Sequence, residues 1–360
     1  MLTPSTSTWT ESGLDLGATD ALARPCPHDA FASWRQHLAD PRPVEVSVCI
    51  ANWNCCDLLR ACLRSLLHQD QGVCLEVIVV DNASSDGAAD MVAHEFPEVL
   101  LVRNRDNAGF SRANNQAARR AHGRYLFFLN NDTAVPAGTL RQLVDYMHAH
   151  PDSAIVGPRL RGSDGRVQCS YRRLPSARTL LHRTWLLRWT GLLRDSYRDY
   201  RRIPMDSLEP LPVEMLMGAA LLMTRERFGV IGGWDEDFTF GGEDLELCLR
   251  AAGQGKIVYF PQAEILHHGR ASTRQHLEFS SPHIAVGFAK YLRKSGCTGL
   301  GMLAYKTAIT LDAPGQLIAK GLQYLYRRLR GRRRDADKSL TVFKATVAFL
   351  RHGLPPFWRA

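Results

Sequence analysis

The chain has 360 residues, of which 45% are hydrophobic and 22% are charged, a composition typical of a globular protein that excludes a largely disordered one. The formal net charge is +9 at pH 7, and arginine is concentrated in residues 172–202 and 327–334, so we expect anionic partners there, either membrane head groups or nucleic acid. No uninterrupted apolar run is long enough to span a bilayer.

Residues 1–43 are predicted to form a loosely ordered leader. They are rich in Ser, Thr, Pro and Ala and lack sustained periodicity, apart from one short helix expected near residues 31–38. They also lack an apolar core of signal-peptide length. The nine cysteines of the chain are scattered and form no C-x-x-C pair. Together these features predict a cytoplasmic protein with reduced, buried thiols.

Residues 44–135 are predicted to alternate strands with helices. Apolar runs predict strands at residues 46–50, 75–80, 99–102 and 125–129, and amphipathic patterns predict helices at 56–67, between 86 and 96, and at 111–121. This spacing of roughly 25 residues is typical of βαβ units, whose strands pair in parallel. Each strand ends in polar residues, and parallel strands bring those ends to one edge of the sheet. We therefore expect a nucleotide-sized cleft at that edge.

The polar strand ends favour a metal over a glycine-lined phosphate site. The turn after the first strand is A-N-W-N-C, which lacks the G-x-G-x-x-G of dinucleotide-binding proteins, and the chain contains no Walker motif. The fourth strand ends in N-N-D-T, which brings Asp132 to the cleft as a candidate ligand for a hard cation. Taken alone, Asp132 fits a cap of the helix that begins near Pro136 at least as well.

Residues 136–275 are predicted to complete the sheet and to supply a carboxylate base. The predicted elements are a helix at 136–150, a strand at 154–158, a strand at 215–224 broken at Gly218, a helix at 245–252, and strands at 257–260 and 263–269. Residues 185–194, in the basic segment between them, fit either a short core helix or a membrane-interface helix. Glu243 and Asp244 follow a Gly-Gly pair at the start of a predicted helix. Acids at this position either complement the helix dipole or, beside an exposed Trp234, supply a catalytic base.

Seven motifs in fixed order resemble family 2 glycosyltransferases of the GT-A fold. They span about residues 44–272 and read VSVCIANWN, VIVVDNASSDG, NAGFSRANNQ, YLFFLNNDT, GGWDEDF, GGEDLELCLR and HHGRAS. Within that family the chain looks most like the rhamnosyltransferase branch. The resemblance implies an α/β fold with a mostly parallel central sheet, divided into a nucleotide-binding half (44–135) and an acceptor half (136–275).

The resemblance also implies a role for each matching residue. Asp244 would be the catalytic base, with Glu243 beside it. Asp132, the last residue of the family's D-x-D motif, would bind Mg²⁺ or Mn²⁺ together with His267, or with His268 as the alternative. The first acidic position of that motif is Asn130 in this chain, which leaves fewer charged ligands for the ion. The acceptor would contact Trp234 and Asp235. The nucleotide sugar would be bound by Asn52, Asn54, Asp81, Ser84, Arg112, Asn114, Asn115 and Asn131.

The activity implied by this resemblance is sugar transfer with inversion at the anomeric carbon. The expected donor is a nucleotide sugar, with L-rhamnose from dTDP-rhamnose favoured, and the expected acceptor is a hydroxyl of a growing, lipid-linked, cell-surface glycan. Other donors that carry UDP, GDP or dTDP remain open. A sugar nucleotidyltransferase also uses an α/β nucleotide cleft with metal-bound carboxylates, so it is the alternative from a different class; a non-catalytic nucleotide-sugar-binding protein is a third.

Residues 276–360 are predicted to form an amphipathic, basic helical extension. Helical patterns at 284–292, 300–311, 317–329 and 340–350 surround the arginine run at 327–334. The run suits either a solvated surface or an anionic membrane, which would place the protein peripherally on the inner face of the plasma membrane. Nucleic acid is disfavoured as a partner because the sequence shows no recognised binding module.

Overall fold

The computed structural model describes residues 43–201, 207–269, 277–297 and 299–360; the predicted leader and its short helix lie outside them. The first half of the chain contains β1 (Val46–Asn52), α1 (Cys56–Leu67), β2 (Leu75–Asp81), α2 (Ala88–Glu95), β3 (Leu100–Arg103), α3 (Phe110–Ala118), β4 (Tyr125–Leu129), β5 (Thr133–Ala134), α4 (Thr139–Ala149) and β6 (Ser153–Arg161). Every strand and helix predicted for residues 44–135 is present, with ends that differ by a few residues.

The second half is more irregular. Its elements are β7 (Tyr171–Arg172), α5 (Ala177–Leu181), α6 (Trp185–Thr190), α7 (Arg194–Arg201), β8 (Leu211–Pro212), β9 (Met215–Leu216), β10 (Ala220–Thr224), α8 (Arg225–Val230), α9 (Glu243–Ala251), β11 (Lys256–His267), α10 (Leu277–Lys294), α11 (Leu300–Leu329), α12 (Arg333–Ala348), a π-helical turn (Phe349–Gly353) and α13 (Leu354–Arg359). The strand predicted at 215–224 is broken at Gly218 as expected, because β9 and β10 flank that residue.

The four N-terminal strands pair in parallel in the order β3-β2-β1-β4. Helices cover both faces of this part of the sheet, so successive residues of β1 enter different cores: Val48 and Ile50 pack into one hydrophobic cluster and Cys49 into the other. The register pairs Asn52 with Asp81. The two polar strand ends therefore lie side by side, as the βαβ spacing predicted.

The sheet continues through one reversed strand. β10 is antiparallel to both β4 and β6, and β6 then pairs in parallel with β11. The two strands predicted near the end of the sheet are one strand, β11, because a register shift between Phe260 and Glu264 carries the chain past Pro261 without ending the pairing. At its end, His267 of β11 pairs with Thr133 of β5, which brings the residues after β4 next to the end of β11.

The C-terminal helices pack against the sheet domain. Tyr291 of α10, Tyr305 of α11 and Phe357 of α13 belong to the same hydrophobic cluster as Trp234 and Leu247. α11 is one helix of 30 residues that runs through Pro314, where the sequence pattern predicted two helices. Among the helices of the described residues, none is both long enough and apolar enough to cross a membrane.

Candidate active site

One cavity of about 520 Å³ opens at the carboxyl edge of the sheet, where the sequence predicted a cleft. This volume is in the range of small-molecule binding sites. The ends of β1, β4 and β11, the break at Gly218 and the start of α9 supply its walls. Seven residues with predicted or alternative site roles line it, namely Asn52, Asn131, Asp132, Glu243, Asp244, His267 and His268.

A chain of amide and carboxylate groups connects the ends of β1, β2 and β4. Asn131 Nδ2 donates to Asn52 Oδ1 at 2.7 Å, and Asn52 Nδ2 donates to Asp81 Oδ1 at 2.9 Å. The second oxygen of Asp81 accepts from the backbone N–H of Ser84, whose hydroxyl accepts from the backbone N–H of Asn54. Because these groups are mutually hydrogen-bonded, this wall of the cavity is held in one arrangement.

Asp132 and His267 face each other across the β5–β11 pairing. Asp132 Oδ1 lies 3.3 Å from His267 Nε2, and both side chains are largely buried. His267 Nε2 has no hydrogen-bond partner among the residues that the structure describes. The other ring nitrogen, Nδ1, is 2.8 Å from Gln168 Oε1. The neighbouring His268 is exposed, but it also lines the cavity.

The two acids of α9 are positioned by glycine backbone. Gly241 and Gly242 have φ of 84° and 93°, a conformation that a side chain would strain, and they turn the chain so that the helix begins at Glu243. Asp244 Oδ2 accepts from the backbone N–H of Gly218 at 3.4 Å, and Oδ1 accepts from that of Leu245 at 2.9 Å. Glu243 Oε2 is buried without a hydrogen-bond partner among the described residues.

This environment favours one shared proton on the two acids. Burial, with the neighbouring Asp244 carboxylate, raises the pKa of Glu243 to about 8. Burial also raises the pKa of Asp244, but hydrogen bonds from the backbone N–H groups of Leu245 and Gly218 and the charge of Arg172 act in the opposite direction. The two acids therefore titrate as a coupled pair, and burial beside the Asp244 carboxylate favours the neutral form of Glu243.

Eight residues with predicted binding roles are not among those that line the cavity. Asn54, Asp81 and Ser84 lie behind Asn52 in the hydrogen-bonded chain described above, and the other five belong to α3 and to the turn at 234–236. Asn115 exchanges hydrogen bonds with the backbone of Trp234 at 2.8 and 2.9 Å, and Arg112 pairs with Glu236. The indole of Trp234 is 1% exposed and packs edge-on against Phe128, so the exposed position predicted for it is wrong. Its flanking glycines and acids suggested a surface turn, but Asn115 anchors that turn to α3 and directs the ring into the core. Asn114 is buried and Asp235 pairs with Lys294.

Two residues that the sequence patterns did not single out also line the cavity. Gln168 and Arg172 come from the basic segment after β6, where β7 is only two residues long. Such a short strand has no detectable periodicity, so nothing in the sequence placed either residue at the cavity, although Arg172 opens the arginine-rich segment for which anionic partners were expected. Among the described residues that line the cavity, Arg172 is the one Lys or Arg. Its guanidinium lies over the Tyr200 ring, and its charge acts to lower the pKa of Asp244.

Comparison with known proteins identifies the family. The family model described as "Glycosyl transferase family 2" matches residues 47–207. An N-acetylglucosaminyl-diphospho-decaprenol L-rhamnosyltransferase of Mycobacterium tuberculosis is 30% identical over 217 residues, which cover 55% of this chain and 68% of the relative. The chain belongs to glycosyl transferase family 2. Family membership and the observed sheet together confirm the expected GT-A class and the enzyme class, a glycosyltransferase.

Further relatives of this family 2 glycosyltransferase act in glycan synthesis. The O-antigen biosynthesis protein RfbC of Myxococcus xanthus is 29% identical over 238 residues, which cover 61% of this chain and 17% of that protein. Among solved structures, mannosyltransferase PcManGT from Pyrobaculum calidifontis, in complex with GDP-Man and Mn²⁺, aligns with a TM-score of 0.48 and 19% identity over 89% of this chain and 94% of that one. A TM-score this low says nothing about the donor or the acceptor of this glycosyltransferase.

Proposed function

We propose that this glycosyltransferase moves a sugar, with L-rhamnose from dTDP-rhamnose as the favoured donor, onto a hydroxyl of a lipid-linked glycan and inverts the anomeric centre. The observation that carries the proposal is the single cavity lined by Asn52, by the Asp132–His267 pair and by the two acids of α9, with Asp81 hydrogen-bonded behind Asn52. The named relative from Mycobacterium tuberculosis supports the choice of rhamnose and of a diphospho-lipid acceptor.

The Asp132–His267 pair fits a divalent cation, Mg²⁺ or Mn²⁺. Adjacent ligands on an octahedral ion bound at about 2.1 Å are about 3 Å apart, close to the 3.3 Å between Asp132 Oδ1 and His267 Nε2. The described residues contain no group of three or more His, Cys, Asp or Glu side chains that could hold a metal ion. Two protein ligands leave most positions to water and to the donor diphosphate, so ion and donor should bind together.

In this proposal Asp244 acts as the general base. Its carboxylate is fixed by the backbone N–H groups of Gly218 and Leu245 and is free to accept the proton of an acceptor hydroxyl that enters the cavity. The hydroxyl oxygen forms the new bond to the anomeric carbon on the face opposite the departing nucleoside diphosphate, which gives inversion. The bound cation would offset the negative charge that develops on that leaving group.

The Asn52–Asp81 wall is proposed to hold the nucleoside. Asn52 faces the cavity with its amide fixed by Asp81, which accepts from it at 2.9 Å, and this fixed polar group suits the edge of a nucleobase; Asn54 and Ser84 secure the pair from behind. Donors with a base other than thymine remain compatible with this pattern. Arg112 and Asn115 of α3 contact the turn at 234–236 instead, and Asn114 bonds within its own helix. In this proposal these residues, with Trp234 and Asp235, act only through the packing of that turn.

We also propose that the C-terminal helices lie on an anionic membrane at the site of the lipid-linked acceptor. α11 exposes an apolar stripe of residues with helical spacing, formed by Leu311, Ile318, Leu322, Leu325 and Leu329. Leu329, at the end of the stripe, is 88% exposed. Trp185 of α6 donates its backbone N–H to Asp312, so the exposed Trp185 and Trp189 lie beside this stripe. The exposed arginines at 328–334 continue from the end of α11. Apolar, aromatic and cationic groups in this order are typical of interfacial helices.

A nucleotide-sugar panel tests the function. Thermal unfolding is measured with dTDP-rhamnose, UDP-, GDP- and other dTDP-sugars, each with and without Mn²⁺. A true donor at about 100 times its Kd should stabilise the protein by about 2.7 kcal/mol, and the stabilisation should require the ion. Asp132→Ala should abolish the metal-dependent part, whereas Asp145→Ala, on the outer face of α4, should not.

Product analysis separates the two enzyme classes. Incubation with the stabilising donor should release a nucleoside diphosphate. Release of pyrophosphate would instead identify a nucleotidyltransferase, and the absence of any stabilising nucleotide sugar would contradict the proposed function.

A further inference from the structure

The side chain of Gln168 is held next to His267 by the end of β6. Arg161, the last residue of β6, pairs in parallel with Leu266 of β11 and forms a bridge to Val167. The backbone N–H of Gln168 then donates to Leu160 O at 2.8 Å. This tight return of the chain places residue 168 beside residue 267, although the two are about a hundred positions apart in sequence.

The Gln168 amide makes two hydrogen bonds to one residue. Its Nε2 donates to the backbone carbonyl of His267 at 2.7 Å, and its Oε1 lies 2.8 Å from the Nδ1 of the same histidine. A carbonyl oxygen only accepts, so the NH₂ end of the amide must face it. The oxygen end is therefore fixed toward the imidazole.

This orientation determines which ring nitrogen carries the proton. Oε1 of Gln168 only accepts, so the contact is a hydrogen bond when Nδ1 of His267 carries a hydrogen. A neutral imidazole has one ring proton, so Nε2 is left with its lone pair. That lone pair is on the side of Asp132 Oδ1, 3.3 Å away, where Nε2 has no hydrogen-bond partner among the described residues.

The space around the amide leaves it little freedom. A Cβ at Gly269 would lie 3.2 Å from Gln168 Nε2, and one at Gly162 would lie 3.1 Å from the same atom. Both positions are glycine in this chain, so the amide fits closely between two segments of backbone. A side chain at either position would crowd the amide, so glycine at 162 and 269 leaves the room that it occupies.

We propose that Gln168 is a positioning residue that holds His267 as its Nδ1–H tautomer and aims the Nε2 lone pair at the cation site shared with Asp132. The inference rests on the proposed metal site, and it adds a residue that no sequence motif identifies. A histidine that binds a metal through one nitrogen commonly donates from the other, and loss of that partner typically weakens metal binding about 10- to 100-fold.

The tautomer is tested directly in the metal-free protein. Nitrogen NMR of protein with ¹⁵N-labelled histidine distinguishes the two neutral tautomers from each other and from the imidazolium, and the signals of His267 are assigned by their loss in His267→Asn. The parent protein should show the Nδ1–H form. Gln168→Met removes both hydrogen bonds and should give a mixture of the two forms. Gln168→Glu loses the hydrogen bond to the His267 carbonyl but still accepts from Nδ1, so it should retain the parent form.

Metal affinity gives the second readout. Binding of Mn²⁺ in the presence of dTDP, UDP or GDP is followed by electron paramagnetic resonance. Gln168→Met should weaken binding about 10- to 100-fold, and Gln168→Glu should restore most of it. Gln262→Met is the matched control, because Gln262 also donates to a backbone carbonyl but lies on the surface away from the cavity.

The outcomes separate the inference from the proposed function. An unchanged tautomer and unchanged Mn²⁺ affinity in Gln168→Met would overturn the inference and leave the metal site standing. Absence of Mn²⁺ binding by the parent with every nucleotide would remove the metal site from the proposed function, and the NMR experiment would still decide whether Gln168 fixes the tautomer. Equal losses in the Met and Glu variants would indicate a structural role alone and would also overturn the inference.

Discussion

Replacing Glu243 by Gln should change how the stability of this glycosyltransferase depends on pH. In the folded protein the pKa of Glu243 is raised to about 8, whereas its ordinary value is 4.5. Between these values the folded state keeps a proton that the unfolded state releases, so the free energy of unfolding falls as pH rises. Below the window both states are protonated, and above it both are ionised, so the dependence is confined to about pH 4.5–8.

The structure sets the size of the effect. One unit of pKa corresponds to about 1.36 kcal/mol, so the shift of the Glu243 pKa from 4.5 to about 8 limits its contribution to roughly 5 kcal/mol. Because the proton is shared with Asp244, we expect about 2–4 kcal/mol. Gln carries no charge at any pH in this range. As pH rises from about 5 to about 8, the free energy of unfolding of the parent should therefore fall relative to that of Glu243→Gln by about 2–4 kcal/mol.

Urea denaturation at several pH values, followed by tryptophan fluorescence, measures this difference. Glu264→Gln is the matched control. The ion pair with Arg161 lowers the pKa of Glu264, so Glu264 is ionised in the folded and the unfolded state across most of the window. The difference in free energy of unfolding between Glu264→Gln and the parent should therefore not change with pH above about 6. A difference between Glu243→Gln and the parent that is constant from pH 5 to pH 8 would refute the idea that Glu243 is buried in its neutral form.

Two further predictions concern catalysis and the membrane. Asp244→Asn should lower kcat about 10²- to 10⁴-fold while the Kd of the donor stays near the parent value; unchanged turnover, or an equal loss in the exposed control Asp90→Asn, would contradict the role of base. On the α11 stripe, exchange of three exposed apolar residues for Ser should remove about 1 kcal/mol each and lower binding to anionic vesicles about 100-fold in co-sedimentation. Equal effects of the stripe variant (Ile318, Leu322 and Leu325) and a control variant at exposed apolar residues elsewhere (Leu100, Leu208 and Val230) would rule out that surface.

The parts of the site that are predictable from sequence lie at the ends of regular elements. β1, β2 and β4 are mostly apolar and polar residues follow each of them, so the sequence pattern alone assigns Asn52, Asp81 and Asp132 to one edge of the sheet. The register that pairs Asn52 with Asp81 follows from parallel strands of similar length. In such a sheet the position of a residue in sequence fixes its position in space.

The unpredicted parts depend on contacts between distant segments. Gln168 reaches His267 only because β6 and β11 pair along their whole length and the chain turns back after Arg161. Trp234 was predicted as exposed because its neighbours are glycines and acids, whereas its burial results from aromatic packing with Phe110 and Phe128. The patterns at 300–311 and 317–329 predicted two helices, but α11 continues from one to the other through Pro314. Local patterns carry no information about such partners.

The close approach of α10 to the loop before α9 links the C-terminal helices to the candidate active site. At Gly287 the helix backbone meets the carbonyl of Gly241 with no space for a Cβ, and a Cβ at Gly242 would lie 3.1 Å from the backbone of Gly287. The acids at 243 and 244 are thus supported from behind by the helices that carry the exposed α11 stripe. A minimal catalytic fragment ending near residue 275 would lose that support. The sheet domain and the C-terminal helices must therefore be inherited, expressed and engineered as one unit.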